Sequence, residues 1–358
     1  MNKEKSISAD NTRIASVRLS NHQLLGTECL MPYQIVAHFG MMQAQDFNSA
    51  TWAIGVRLCG YTEKLIHKSF NRGEILRTHV LRPTWHFVTP ENIRWMLKLS
   101  EKRIMQSMKS RDLELGLSDD IYVKCYHIIA NALEKVDHLT REALMIILQE
   151  AGFAFNTSQM YHVLAGAEAH GIVCSGALHE KNHTYALLEK RVPPAKPLTK
   201  DESLAKLAGI YFTGHGPATL QDFVWWSGLS VGEARQGIED VKDELVSEMI
   251  DGQKYWMPNA EVRQINSTNE VQLLPAFDEY IVGYKDRAAI MTSENHRKAV
   301  SSNGVFRSVV IKEGQVIGLW KKATSGKKTI AVTPFEPLDS QTQQQIDAAT
   351  EKLRAFYG

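Results

Sequence analysis

Three stretches of this 358-residue chain repeat one order of elements, three amphipathic helices followed by two short strands. In the middle stretch, Asp119 to Val136 is predicted helical. Leu139-Thr140 then staples and caps a helix that carries Leu144, Ile147, Leu148 and Ala151 on one face and closes at Gly152. A third helix from about Asn156 aligns Met160, Val163, Leu164 and Ala167 and ends at Gly171. Strands at Ile172-Val173-Cys174 and Tyr185-Ala186-Leu187 flank a polar turn through Glu180-Lys181-Asn182. Residues 199–258 follow the same order. Helices run from about Lys200 to Phe212, Thr219 to Ser227 and Val231 to Val241, with Ser230-Val231-Gly232-Glu233 as a capping box. Strands around Val246 and Tyr255 flank Asp251-Gly252, a strong hairpin signal.

The first stretch is less regular. Helices at about 32–42, 49–59 and 62–71 precede strands near Leu76–Val80 and Thr84–Val88, with Arg82-Pro83 at the hairpin tip. Thr89-Pro90-Glu91 then caps a long helix to about Ser110. Helix-turn-helix followed by a β-hairpin is the winged-helix plan. The predicted class is therefore α+β, mainly α: three tandem winged-helix units followed by a small C-terminal β-domain with a closing helix. The expected segments are 1–115, 116–192, 198–260 and 261–358, with Pro193-Pro194-Ala195-Lys196-Pro197 as a stiff linker. In the last segment, strands are expected at Val271–Leu274, Tyr280–Val282, Val309–Ile311, Val316–Trp320 and Thr329–Val332, then a helix from Ser340 to Phe356.

Composition narrows the chemistry. A 44% share of hydrophobic residues suffices for several cores, and no stretch approaches the roughly 20 apolar residues of a membrane span. The start Met1-Asn2-Lys3-Glu4-Lys5-Ser6 is polar and reads as no signal peptide. Cys29, Cys59, Cys125 and Cys174 are far apart, and the histidines lack ligand spacing, so neither a metal site nor any cofactor is expected. A reducing cytoplasm fits this cysteine usage. Net charge is +1 but uneven. Residues 60–115 carry 11 Lys/Arg and 6 Asp/Glu (+5), and residues 281–328 carry 10 and 3 (+7), leaving +1 − 5 − 7 = −11 elsewhere. Two basic segments on an acidic remainder suit a docked polyanion, although solvated helix faces also read this way.

One short segment stands out chemically. Met42-Gln43-Ala44-Gln45-Asp46-Phe47-Asn48 places two carboxamides two residues apart between helices. In a continuous helix they would diverge by about 200°, so they act together only if the backbone leaves the helical path. Asn48 is the expected N-cap of the following helix, and Phe47 with Trp52 its hydrophobic staple. A phosphate is welcome at such a helix start. On spacing alone, two exposed glutamines at a helix junction explain the segment equally well.

Gln43-Ala44-Gln45-Asp46 and Arg77-Thr78-His79-Val80-Leu81-Arg82-Pro83-Thr84-Trp85-His86-Phe87-Val88 are joined by further words in a fixed order. These are Gly214-His215-Gly216-Pro217-Ala218-Thr219, Trp225-Trp226-Ser227-Gly228, Leu273-Leu274-Pro275-Ala276-Phe277-Asp278-Glu279-Tyr280 and Gly304-Val305-Phe306-Arg307. Together they resemble the winged-helix DNA glycosylases of the AlkZ and YcaQ kind, which release alkylated purines and unhook interstrand crosslinks. The resemblance implies catalytic roles for Gln43 and Gln45. Ala44 is smaller than the aliphatic residue expected between them, and Pro83 replaces an expected glycine.

The chemistry implied is hydrolysis of the N-glycosidic bond of a cationic N7-alkylpurine. Such a base departs neutral, so water positioning replaces a strong acid, and a carboxamide can both accept and donate hydrogen bonds. Asp46 is expected to cap a backbone amide, with a chemical role in reserve. Thr84 and His86, on one strand face, are candidates to line the site, although a lone strand histidine is more often structural. Arg77, Arg82, Lys285, Arg287 and Arg307 are candidate DNA contacts, with Tyr284 beside them. Trp225 and Trp226 resemble base-stacking residues, although at least one is expected to fill a core, and His215 is expected to hydrogen-bond backbone. No lysine stands at the motif, which suggests a monofunctional enzyme. The expected partner is damaged double-stranded DNA, bound by a monomer. The alternatives are a non-enzymatic winged-helix transcription regulator and, more remotely, an adaptor whose β-domain binds protein.

Overall fold

The structure is a computed structural model that describes residues 8–25, 31–259, 270–323 and 330–358. Cys29, Thr329, the polar start Met1–Ser6 and the end of the second basic segment, 324–328, lie outside the described residues. The chain divides into two compact units, residues 1–66 with 204–358, and residues 67–203. It is largely helical, with small antiparallel sheets.

In unit 67–203, Leu76–His79 pairs antiparallel with Trp85–Val88, from Leu76 opposite Val88 to His79 opposite Trp85. The helix Pro90–Leu115 follows Thr89 and ends at Gly116, whose left-handed φ of 69° suits a residue without Cβ. It runs past the expected Ser110 because its buried face continues through Met108 and Asp112. Helices Asp119–Glu134, Arg141–Glu150 and Thr157–Ala169 then enclose a core of Ile129, Leu133, Leu144, Leu148 and Met160. Thr140 caps the second by accepting from Ala143 N, and Asn156 with Gln159 forms a capping box on the third. Three strands close the unit in the order Leu139–Thr140, Thr184–Leu187, Val173–Ser175.

The other unit opens with a helix absent from the sequence expectations, Ala9–Asn21, capped by Ser8. Its sequence is polar, but Ile14, Ala15, Arg18 and Leu19 form a narrow buried stripe. The helix Pro32–Phe39, the strand Met41–Gln43 and the helix Phe47–Gly55 follow. Lys200–His215, Leu220–Ser227 and Val231–Asp240 are the later helices, of which residues from Leu204 on belong to this unit. Their three-stranded sheet has the order Ala218–Thr219, Gln253–Pro258, Leu245–Ile250. It matches the strand order of the other unit's sheet, and in both cases the order of elements is helix, strand, helix, helix, hairpin.

A four-stranded antiparallel meander, Val271–Leu274, Val309–Lys312, Gln315–Lys322 and Ile330–Pro334, forms the rest of this unit's β-structure. Two features correct the expectations here. Tyr280–Val282 is not a strand but part of a single helical turn, Glu279–Val282, because the Asp278 side chain caps it by accepting from Tyr280 N. A short helix, Ser293–Ala299, stands where no element was expected, started by Thr292. The closing helix, Ser340–Tyr357, is capped by Asp339 and packs Phe356 on Trp52 at 5.0 Å between ring centroids. Gly55 permits that approach, since a Cβ there would lie 2.3 Å from the Phe356 ring.

Candidate active site

Gly40, at φ 73°, ends the Pro32–Phe39 helix, and Met41–Gln43 leaves in extended form. Burial then alternates. Met42 and Ala44 are buried, Gln43 is half-buried and Gln45 exposed. The strand ends at Gln43 and the chain bends at Gln45 and Asp46; both glutamines keep accessible surface while Met42 and Ala44 are buried. The backbone does leave the helical path between them. Ala44 has no accessible surface, so the residue between the glutamines faces the tight interior and is small.

The next helix begins two residues earlier than its expected cap would allow. Asp46, not Asn48, is the N-cap, and its Oδ1 accepts from Ser49 N at 3.0 Å. Asp46 therefore has the capping role expected of it. Phe47 is the first helical residue, so the Phe47–Trp52 staple does not apply. Trp52 is instead buried, donating its indole N–H to Leu273 O at 2.7 Å.

Behind the motif lies a buried polar cluster. Glu279, 1% exposed, accepts the backbone N–H of Gln43 through Oε1 at 2.8 Å. Its Oε2 accepts the Trp226 indole N–H at 2.9 Å and stands 3.3 Å from His215 Nε2. Asp278, next to it, receives two parallel hydrogen bonds from Arg57, both 2.8 Å. Tyr284 donates its hydroxyl to His215 O at 2.6 Å, leaving its oxygen to accept from His22 Nε2 at 2.7 Å. Arg18 lies 3.6 Å over the Tyr284 ring and donates to Pro217 O. Burial pushes the pKa of His215 down, against the opposing pull of Glu279, and that of His22 well down, with help from His215 and Arg57. Both rings are neutral donors here. The Asp278-Glu279 pair had no chemical role in the sequence reading. The only signal for it was two acids inside an apolar word, Leu273 to Tyr280.

Unit 67–203 holds the hairpin candidates. His86 is fully buried, and its Nδ1 donates to Thr84 O at 2.9 Å. Its Nε2 is then free to accept from the Arg82 guanidinium, 3.1 Å away. Burial and the nearby Arg82 charge lower the His86 pKa well below its ordinary value, which agrees with this neutral tautomer. His86 thus steadies Arg82, which is half-buried at the tip, where Leu81 has a φ of 59°. Thr84 is half-buried and its backbone shapes the same tip, donating to Arg82 O at 2.7 Å. Arg77 differs from its expectation as an exposed wing contact. It is 8% exposed, and its guanidinium stacks 4.3 Å from the Trp85 ring centre.

The basic candidates of the other unit also separate by burial. Lys285 and Arg307 are exposed. Arg287 is not the DNA-gripping cation expected: it is buried, donates Nε to Ile281 O at 2.8 Å, and lies 4.9 Å from the Phe306 ring centre. Desolvation brings its pKa down to about 10. Tyr284 is equally interior. Trp226 fills the core and Trp225 is 42% exposed, with its indole N–H on Val282 O at 3.0 Å. Among the described residues no cluster of three or more His, Cys, Asp or Glu is placed to hold a metal ion. Among the same residues, no helix is long and apolar enough to cross a membrane.

The structure therefore brings Gln43, Gln45 and Asp46 together on one segment, and Thr84, His86, Arg77 and Arg82 together on one hairpin. Lys285, Arg287 and Arg307 share the first unit with the glutamines. Comparison with known proteins supplies the family. An interstrand DNA cross-link repair glycosylase of Streptomyces sahachiroi is 23% identical over 315 residues, covering 84% of each chain. The solved Streptomyces sahachiroi DNA glycosylase AlkZ has the same fold, with a TM-score of 0.79 at 21% identity over 97% of each chain. The family model for DNA glycosylase AlkZ-like proteins matches residues 36–356, and by that near-complete match the chain belongs to the AlkZ-like DNA glycosylase family.

Proposed function

We propose that this protein is a monofunctional DNA glycosylase that hydrolyses the N-glycosidic bond of cationic N7-alkylated purines, including those in interstrand crosslinks. The observation that carries this reading is the non-helical path of Gln43–Gln45, which ends the strand Met41–Gln43 and bends into the next helix. It leaves both glutamines accessible while Met42 and Ala44 are buried. In the reaction, a water oxygen bonds to C1′ as the C1′–N9 bond breaks. The bonding pair moves to the purinium, which leaves neutral. One water proton passes to solvent, and an abasic sugar remains. A glutamine carbonyl accepts from the water and turns the negative end of its dipole toward the developing cation, and a glutamine N–H donates to a nearby oxygen to hold that orientation. Asp46 is engaged in capping, so its chemistry is held in reserve.

In this reading the repeated order of elements corresponds to tandem winged-helix units, over segments 1–115, 116–192 and 198–260, followed by the β-domain 261–358. Arg82, Lys285 and Arg307 contact the DNA backbone, and the protein works as a monomer on duplex in the cytoplasm, at the nucleoid. The relative named for crosslink repair supports that choice of lesion. The absence of lysine between Gly40 and Ser49 supports a hydrolytic rather than Schiff-base route.

The test is to incubate the purified protein with duplex carrying N7-methylguanine, or a nitrogen-mustard crosslink, and to score abasic sites and strand separation. Base release without β-elimination is the expected result. Tight DNA binding with no base release from either substrate overturns the reading in favour of a winged-helix regulator.

A further inference from the structure

We propose that Glu279 is the positioning residue of the catalytic segment, and that it works with Asp278 as a two-point clamp on residues Gln43 to Arg57. The proposal rests on the glycosylase reading of Gln43 and Gln45.

Three observations carry it. First, the Glu279 carboxylate is buried, a costly placement unless its oxygens are well satisfied, and N–H donors from three separate places in the sequence converge on it: Gln43, Trp226 and His215. A carboxylate accepting N–H bonds makes shorter and stronger hydrogen bonds than a neutral acceptor. Second, one of those donors is the peptide N–H of Gln43 itself, so the carboxylate grips the backbone of the catalytic segment. Third, Asp278 holds Arg57 through two 2.8 Å hydrogen bonds, and Arg57 lies just past the helix Phe47–Gly55 that begins at Asp46. The same guanidinium also donates to Ala53 O at 2.7 Å inside that helix.

Asp278 and Glu279 thus seize the start and the end of the stretch that carries both glutamines. Their own turn is fixed, because Asp278 Oδ1 accepts from Tyr280 N and a Cβ at Gly283 would lie 2.6 Å from both His215 and Glu279 O. A buried carboxylate on the Gln43 amide adds a constraint at the end of this short strand, and water placement at C1′ demands a precise path, since an error near 1 Å costs about 10²-fold in rate.

The experiment compares Glu279→Gln, Glu279→Ala and Trp226→Phe with the unmutated protein. Four quantities are measured: single-turnover base release from N7-methylguanine duplex at saturating enzyme, DNA affinity, hydrogen exchange at the Gln43 amide, and melting temperature. Glu279→Gln keeps the shape and an acceptor oxygen, and guards against loss of folding. The expected result is faster Gln43 exchange and base release slowed about 10²-fold in Glu279→Ala. Glu279→Gln should lie between the two, with DNA affinity within twofold of the unmutated protein. Trp226→Phe, which leaves the carboxylate less firmly held, should shift exchange and rate in the same direction. A role in folding alone would lower the melting temperature without separating rate from affinity. Unchanged exchange at Gln43, or an unchanged rate, in Glu279→Ala overturns the proposal. No base release by the unmutated protein overturns the glycosylase reading instead, and the exchange measurement still decides whether Glu279 holds Gln43.

Discussion

The peptide N–H of Gln43 meets Oε1 of Glu279 at 2.8 Å, across 236 positions of sequence. A residue near the start of the chain is held by one in a helical turn far beyond the linker. The face presented by the glutamine segment therefore depends on the packing of the whole first unit, and substitutions there should divide cleanly by what they touch.

Gln43→Ala and Gln45→Ala should each lower single-turnover base release by about 10²–10³-fold, the scale set by removing one preorganised polar group from a reaction centre. DNA affinity should stay within a few-fold, because neither carboxamide carries charge. Equal activity of both variants with the unmutated protein would move the chemistry away from this segment.

Asp46 allows its two roles to be separated. Asp46→Ala should cost about 1 kcal/mol of stability through the lost cap on Ser49 N. Asp46→Asn keeps a capping oxygen, so its melting temperature and base release should both stay near those of the unmutated protein. A large rate loss in Asp46→Asn at unchanged stability would give the carboxylate a chemical part.

Arg57 and Asp278 are an ion pair with no exposed side-chain surface. Removing one partner leaves the other charge buried, so Asp278→Ala should lower stability by about 3–5 kcal/mol in denaturant titration. A loss below about 1 kcal/mol, the range of a surface pair, would mean that the pair is open to solvent.

His22, His86 and His215 are all fully buried with depressed pKa values, burial being the main cause in each. Below the unfolded pKa of about 6.5, the unfolded chain takes up protons that these rings refuse. Stability is thus complete above that pH and falls as pH drops toward the depressed folded values, by up to about 1.4 kcal/mol per pH unit for each ring. Melting temperatures measured from pH 7.5 to 5 should fall steadily, and a flat profile would contradict the neutral, buried assignments.

Among the basic residues, Lys285→Ala and Arg307→Ala should each reduce the slope of log K against log salt by about 0.9 if each neutralises one phosphate. Arg287→Met should leave that slope unchanged and lower the melting temperature, since its guanidinium is committed to Ile281 O and Lys285 O. A salt slope altered by Arg287→Met would show that this side chain reaches DNA after all.

Much of the secondary structure could be read from the amino-acid sequence because its causes are local. The capping box of Ser230 with Glu233, the cap at Thr140 and the turn at Asp251-Gly252, with φ values of 48° and 74°, each depend on residues a few positions apart. The family words and the odd placement of Gln43 and Gln45 were visible for the same reason. Tertiary structure alone decided the rest. The segment Tyr280–Val282 has the apolar pattern of a strand, yet the Asp278 cap turns it into a helix. Arg77 and Arg287 look like surface cations, yet the carbonyls and rings that receive them come together only on folding. The sequence shows which groups can donate and accept. Which of them meet, as Gln43 meets Glu279, depends on the burial that removes water from both and leaves each as the other's partner.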